Sequence, residues 1–244
     1  MPNPNESLLL ELLKQVIEVL ENHKITYWLD GGTLLGAVRD GKFIDWDNDI
    51  DIGSWDMDYK RDVKKLISLS LIDKGLSIGL YENNMNIRKG QVCVDVKFYL
   101  LKNNNAVEPK FMPRNTIGKI LYILSKSLIA PNHISADHMK SFYGSTAVKL
   151  SNLITQAIPL FMRPGLSKLM MAAFYQFGSE DITEVVPAIF FKYFSNMTFY
   201  GMTFKVPEKT EQYLVYRYGT NWLTPVKDWV TERDDGSIRN YTPA

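Results

Sequence analysis

The chain has 244 residues, 45% hydrophobic and 23% charged, enough for one large domain or a core with a helical appendage and unlike a disordered polymer. Its 28 basic and 27 acidic residues leave a formal charge of +1, which argues against bulk nucleic-acid binding. The single cysteine, Cys93, excludes an internal disulfide, and one Cys with three His argues against a structural zinc site.

The chain opens without the basic-then-apolar order of a signal peptide, and no apolar run reaches the roughly 20 residues that span a bilayer, so a cytoplasmic protein is expected. Leu9, Leu12, Leu13, Val16, Ile17 and Leu20 recur at helical spacing and predict an amphipathic first helix. Ile25 to Leu29 reads as a short buried strand, broken at Asp30-Gly31-Gly32-Thr33, after which Leu34 to Val38 begins a helix with Thr33 as its N-cap. Asp40-Gly41 is a turn signal, and Asp49 to Ile52 alternates as a strand does. Asp62 to Leu71 predicts another helix, and Leu76 to Tyr81 with Met85 to Arg88 a hairpin around Asn83-Asn84.

Val92 to Leu100 is the clearest strand: Val92, Val94, Val96 and Phe98 share one face, Cys93, Asp95, Lys97 and Tyr99 the other. Ile117, Ile120, Leu121, Leu124 and Leu128 fit a helix stripe, and Leu150 to Phe177 is helical and apolar with an interruption at Arg163-Pro164-Gly165. An aromatic, turn-rich module follows from about Phe199. Alternating strand and helix signals predict a mixed α/β (α+β) fold, divided as a core at 1–105, a mostly helical region at 106–198 and a small C-terminal module at 199–244.

The stretch from Tyr27 to Ile52 carries the chemistry. Glycines at Gly31 and Gly32 let a backbone approach a phosphate closely, and the helix N-terminus that follows offers unpaired N–H groups to an anion. Asp49 and Asp51 are one residue apart on a strand, so both carboxylates share a face and repel unless a cation such as Mg²⁺ lies between them. The competing reading is a solvated acidic loop edge of Asp45, Asp47, Asp49 and Asp51. Asp95, mid-strand among aliphatics, is costly there unless paired or metal-bound, and is either a metal ligand or a general base; a strand-edge Asp facing solvent is its plainer alternative.

A Gly-Gly turn opening a helix, an Asp-x-Asp strand and a later strand Asp resemble the polymerase-β-like nucleotidyltransferases. More specifically, Gly32-Thr33-Leu34-Leu35-Gly36-Ala37-Val38-Arg39 followed by Trp46-Asp47-Asn48-Asp49-Ile50-Asp51-Ile52 resembles the signature of the LicD family, which includes bacterial phosphocholine transferases and is related to fukutin and fukutin-related protein. Phe199-Tyr200-Gly201 through Val206-Pro207 to Tyr218-Gly219-Thr220-Asn221-Trp222 and Pro225 is similar to the family's closing segment. The resemblance implies a nucleotidyltransferase-type sheet flanked by helices, with Mg²⁺ (or Mn²⁺) on Asp49 and Asp51, Asp47 close by and Asp95 completing the cluster. Gly31, Gly32 and Thr33 would cradle donor phosphates, and Arg39 would clamp one or else pair with a nearby acid. Asp40 stands where a basic or His residue is expected, and Asn48 where Asp is common.

The remaining signals divide between plain and functional readings. His133 and His138 do not share a helical face. Tyr213, Tyr216, Tyr218, Trp222 and Trp229 fit core packing better than a sugar-binding wall, and Arg217 is a weak candidate for a phosphate. Gly118 to Ile129 and Arg163 to Met171 suit ordinary core helices or peripheral contact with the inner face of a membrane. The expected activity is transfer of phosphocholine or a polyol phosphate from a CDP-alcohol donor to a hydroxyl of a glycan or lipid-linked glycan, with no nucleic-acid partner. The alternatives are a nucleotidyltransferase that attacks the α-phosphate of a nucleoside triphosphate and an inactive binding module.

Overall fold

A computed structural model describes residues 4–56, 61–80, 83–129 and 145–238. His133, His138 and the Tyr81 end of the expected hairpin lie outside them. The chain forms two compact units, one of Met1–Pro109 with Thr183–Arg239 and the other of Lys110–Ile182.

The first unit begins with helix α1 (Glu6–Asn22), strand β1 (Tyr27–Leu29), helix α2 (Gly31–Arg39) and strand β2 (Asp49–Trp55). Helix α3 (Arg61–Asp73) and strands β3 (Ser77–Leu80), β4 (Asn84–Lys89), β5 (Val92–Lys102) and β6 (Asn105–Glu108) follow. The second unit holds β7 (Phe111–Pro113), α4 (Thr116–Ile129), α5 (Ser145–Gln156), α6 (Arg163–Ala173) and β8 (Ser179–Asp181). The chain then returns to the first unit as β9 (Glu184–Pro187), β10 (Phe194–Phe199), β11 (Met202–Pro207), α7 (Thr210–Tyr218) and the short α8 (Thr231–Asp234).

Among the described residues the main sheet runs β1-β2-β5-β4-β3, with β6 pairing β5 and β9 pairing β6. The β2–β5 pair is parallel and the others are antiparallel, a mixed sheet as expected. One sheet face carries Ile50, Ile52, Met85, Ile87, Val94, Val96 and Phe98, all buried, and α1 closes over it. The six α1 residues chosen by helical spacing are all buried. Each such aliphatic is worth about 1.5–3 kcal/mol of burial. That stripe anchors the sheet.

Two expectations are corrected here. Helix α2 starts at Gly31 with Asp30 as the N-cap residue, three positions before Thr33, the N-cap expected from sequence. The break in the long helical stretch precedes Arg163, because α5 stops at Gln156 and Pro164 occupies the first turn of α6, where its missing N–H costs nothing. The units also part at 109/110 and 182/183, whereas the sequence reading set limits at 105 and 198. The cause is strand pairing: β9 lies antiparallel to β6, from Asn105 opposite Pro187 to Glu108 opposite Glu184. At the β10–β11 hairpin, Tyr200 and Gly201 both take positive φ, the type I′ turn that matches strand twist.

Candidate active site

The other face of the same sheet is polar. In the parallel register Asp49 lies beside Cys93, Asp51 beside Asp95 and Gly53 beside Lys97. Antiparallel β4 sets Arg88, Asn86 and Asn84 against Cys93, Asp95 and Lys97. Because side chains alternate, Asp49, Asp51, Asp95, Lys97, Asn86 and Arg88 project to one side of three adjacent strands. Asn86 Nδ2 donates to Asp95 Oδ1 at 2.7 Å, and Arg88 Nε donates to Asn86 Oδ1 at 2.6 Å. Asp95 is thus oriented from β4 and stays half-buried rather than facing solvent at an edge.

Helix α2 holds Asp51 with its first turn. Gly32 N–H donates to Asp51 Oδ2 at 2.8 Å, and Asp51 N–H donates to Thr33 Oγ1 at 2.9 Å. The carboxylate thereby caps the positive end of the helix in place of Asp30, whose side chain makes no cap bond. Gly31 is at φ +49°, and a Cβ there would lie 2.3 Å from Asp51 Oδ2. A Cβ on Gly32 would meet Asp47 Oδ2 at 3.0 Å and Asp51 Oδ2 at 3.6 Å. Two carboxylate oxygens therefore flank the bare backbone of Gly32.

Asp30 is turned into a buried network that reading the motifs one by one missed. Its carboxylate accepts from Tyr99 Oη at 2.8 Å, from Tyr213 Oη and from Arg217 Nη1 at 3.4 Å. Arg217, 2% exposed, also reaches Glu184 Oε2 at 3.3 Å and Asp235 Oδ2 at 2.5 Å. Lys97 Nζ stands 3.3 Å from Glu184 Oε1 and 3.6 Å from Asp51 Oδ1, joining the network to the acidic pair. The Arg217 guanidinium is engaged by the carboxylates of Asp30, Glu184 and Asp235. Tyr213 is likewise a buried partner of Asp30, not part of a sugar-binding wall.

Burial drives the electrostatics. Asp49 is pushed up to about 8, first by desolvation, then by its hydrogen bond with Asp47 and the charges of Asp47 and Asp95, against the pull of Lys97. Asp51 is raised to about 6 by desolvation, opposed by Lys97 and reinforced by Asp49 and Asp30. Asp47 is raised by desolvation too. For Lys97 burial acts to lower the value, but Glu184 and Asp51 outweigh it and keep the ammonium protonated, well above its ordinary value. Asp47 stands close enough to Asp49 to raise the cost of ionising it on this buried face.

Could this face hold a divalent cation? Among the described residues no three His, Cys, Asp or Glu side chains stand as a preformed ligand set. The donor chemistry nevertheless fits a hard ion: Asp47, Asp49, Asp51 and Asp95 offer oxygens only, and the mutual repulsion of Asp47, Asp49 and Asp51 is what a cation would relieve. Of the residues chosen from sequence, Gly31, Gly32 and Thr33 lie directly against Asp51. Arg39 does not join them. It ends α2, about 12 Å along the axis from Gly31, and forks onto Asp40 at 2.9 and 2.7 Å. Asn48 is turned away to Asn5, so its substitution for the more usual Asp leaves the acidic pair unaltered.

Residues 24–112 match the nucleotidyltransferase domain of LicD, FKTN and FKRP, which bears out the resemblance over that stretch. Human ribitol 5-phosphate transferase FKRP is 51% identical over 45 residues, 18% of this chain and 9% of that protein. Lipopolysaccharide cholinephosphotransferase LicD of Haemophilus influenzae is 44% identical over 52 residues, 21% of this chain and 20% of that one. Human ribitol-5-phosphate transferase FKTN is 23% identical over 229 residues, 94% of this chain and 36% of its own length. The matches thus span well under half of these relatives.

Proposed function

We propose that the chain is a phosphotransferase that moves a phospho-alcohol group, phosphocholine or a polyol phosphate, from a CDP-linked donor to a hydroxyl of a glycan or glycolipid. The observation that carries this reading is the placement of Asp51 opposite Asp95 on parallel strands, with Asp51 gripped by the N-terminus of α2. The names of the relatives, two ribitol phosphate transferases and a cholinephosphotransferase, support phospho-alcohol transfer as the reaction class.

Asp49 and Asp51, with Asp47 beside them, would hold Mg²⁺, which when bound screens the donor diphosphate and polarises the phosphoryl oxygens. Gly31 and Gly32 leave the room in which Asp51 closes on the head of α2, beside which the donor diphosphate would bind, and Thr33 keeps the strand-to-helix joint in register by accepting from Asp51 N–H. Asp95, fixed by Asn86, accepts the proton of the acceptor hydroxyl. The acceptor oxygen bonds to the phosphorus that bears the alcohol, the bond from that phosphorus to the CMP oxygen breaks, and the electron pair leaves with CMP. Positioning and charge stabilisation supply most of the acceleration in such a transfer.

A thermal-shift screen with CDP-choline, CDP-ribitol, CDP-glycerol and nucleoside triphosphates, each with and without Mg²⁺, tests the reading. The expected result is a rise in Tm with one CDP-alcohol that needs Mg²⁺. A rise with nucleoside triphosphates alone would favour nucleotidyl transfer, and no rise with any ligand would favour an inactive module.

A further inference from the structure

The second unit buries Ile123, Leu128, Phe174 and Ile182 but leaves many other large apolar side chains in solvent. Its helix contacts include buried serines: Ser125 and Ser167 bond through their hydroxyls at 3.0 Å and through Ser167 Oγ to Ser125 O at 3.0 Å, and Ser127 Oγ meets Ser151 Oγ at 2.7 Å. All four serines are buried. The backbones of Gly118 and Gly178 approach so closely that a Cβ on Gly118 would lie 2.0 Å from Gly178 O. Several large apolar side chains face outward. Ile117 is 61% exposed on α4, Leu153 64% on α5 and Leu169 67% on α6. At the tip before α6, Leu160 is 75% and Phe161 84% exposed. Arg163 pins that tip by donating to Ile158 O at 2.9 Å and Gln156 O at 3.3 Å.

Hydroxyl contacts between helices, with so many aliphatics left outside, suit a unit that meets lipid. A wholly water-facing unit rarely leaves so much apolar surface exposed. Charge points to the same solvent. Among the described residues from Lys110 to Ser179 there are seven Lys and Arg and no acidic residue, before Glu180 and Asp181 close the unit on β8. The helices are also short: α4, the longest with 14 residues, spans about 21 Å, less than the ~30 Å hydrocarbon core. No helix among the described residues is long and apolar enough to cross a membrane.

We propose that the second unit docks on an anionic lipid bilayer, its basic residues at the headgroups and the Leu160–Phe161 tip inserted into one leaflet. Apolar area and basic charge act together in such binding. The proposal stands on this unit alone and does not depend on the transfer reaction.

Flotation of the 244-residue chain with vesicles of phosphatidylcholine, or of phosphatidylcholine mixed with phosphatidylglycerol, tests it. The chain should float with the anionic vesicles and bind them more weakly as salt rises. Leu160→Ser with Phe161→Ser should reduce partitioning by about tenfold or more with Tm unchanged, since both side chains are already in solvent. Phe161→Trp should show a blue-shifted emission that brominated lipid quenches. Wild-type chain that stays unbound at every composition would overturn the proposal, as would a double serine variant that floats undiminished. So would light scattering in which wild type is a dimer and the serine variant a monomer, because the face would then be a contact between copies.

Discussion

Removing divalent cations should make the chain less stable as the pH rises from about 5 to about 8. Asp49 titrates at about 8 and Asp51 at about 6, against an ordinary 3.8. Both folded values lie above the unfolded ones, so between those limits the folded chain binds more protons than the unfolded chain. Stability from these groups is therefore full below the unfolded value and is lost as the pH climbs through 6 and then 8. One pKa unit is worth about 1.4 kcal/mol. Asp47 and Asp49 titrate as a pair, so their joint effect is taken as about 2–4 kcal/mol rather than the larger sum of separate shifts. In a chain of this size that lowers Tm by roughly 5–15 °C. Calorimetry in chelator across this pH range measures the slope. Millimolar Mg²⁺ should abolish it, because a bound cation favours the ionised carboxylates and neutralises the face. Asp49→Asn should also flatten it, be more stable than wild type near the upper limit in chelator, and lose most of the Mg²⁺ effect. A flat wild-type profile in chelator, or a Mg²⁺ response that survives in Asp49→Asn with Asp51→Asn, would refute the reasoning.

Lys97→Met leaves Asp51 and Glu184 buried without their shared ammonium, and should cost about 3–5 kcal/mol, read as a drop in Tm that shrinks at acid pH, where Asp51 takes a proton. Gly31→Ala places a Cβ into the Asp51 carboxylate at a positive φ. It should weaken Mg²⁺ binding, measured by titration calorimetry, by more than its effect on Tm. Arg217→Met should destabilise by about 3–5 kcal/mol, and Arg217→Lys should not restore it, since one ammonium cannot serve Asp30, Glu184 and Asp235 together. Asp95→Asn should keep the Mg²⁺-dependent rise in Tm while lowering turnover by about 10²–10⁴; a lost rise would make Asp95 a metal ligand instead of the base.

Local period made part of this legible. Val92 to Leu100 alternates so cleanly that its two faces are legible in the sequence, and the α1 stripe names its own buried side. The shared face of Asp49 and Asp51 follows from the same rule. The head of α2 was misplaced because Gly31-Gly32 reads as a break, whereas here the glycines are the first turn, bare so that Asp51 can close on it. The buried network was out of reach because Glu184 and Arg217 lie more than 80 residues from Lys97 and carry no local pattern. In the second unit periodicity located α4 but could not say which side of the stripe faces inward. The serines decide that, and their role appears only when two helices are set against each other.

The most direct test of the account is to follow CMP release by chromatography when the chain is given CDP-choline, CDP-ribitol or CDP-glycerol with Mg²⁺ and a glycan acceptor. The account predicts CMP from one of these donors, no pyrophosphate, and loss of CMP in chelator, in Asp49→Ala and in Asp51→Ala. Pyrophosphate from a nucleoside triphosphate with no CMP from any CDP-alcohol, or undiminished CMP from the Asp49→Ala, Asp51→Ala double variant, would contradict it.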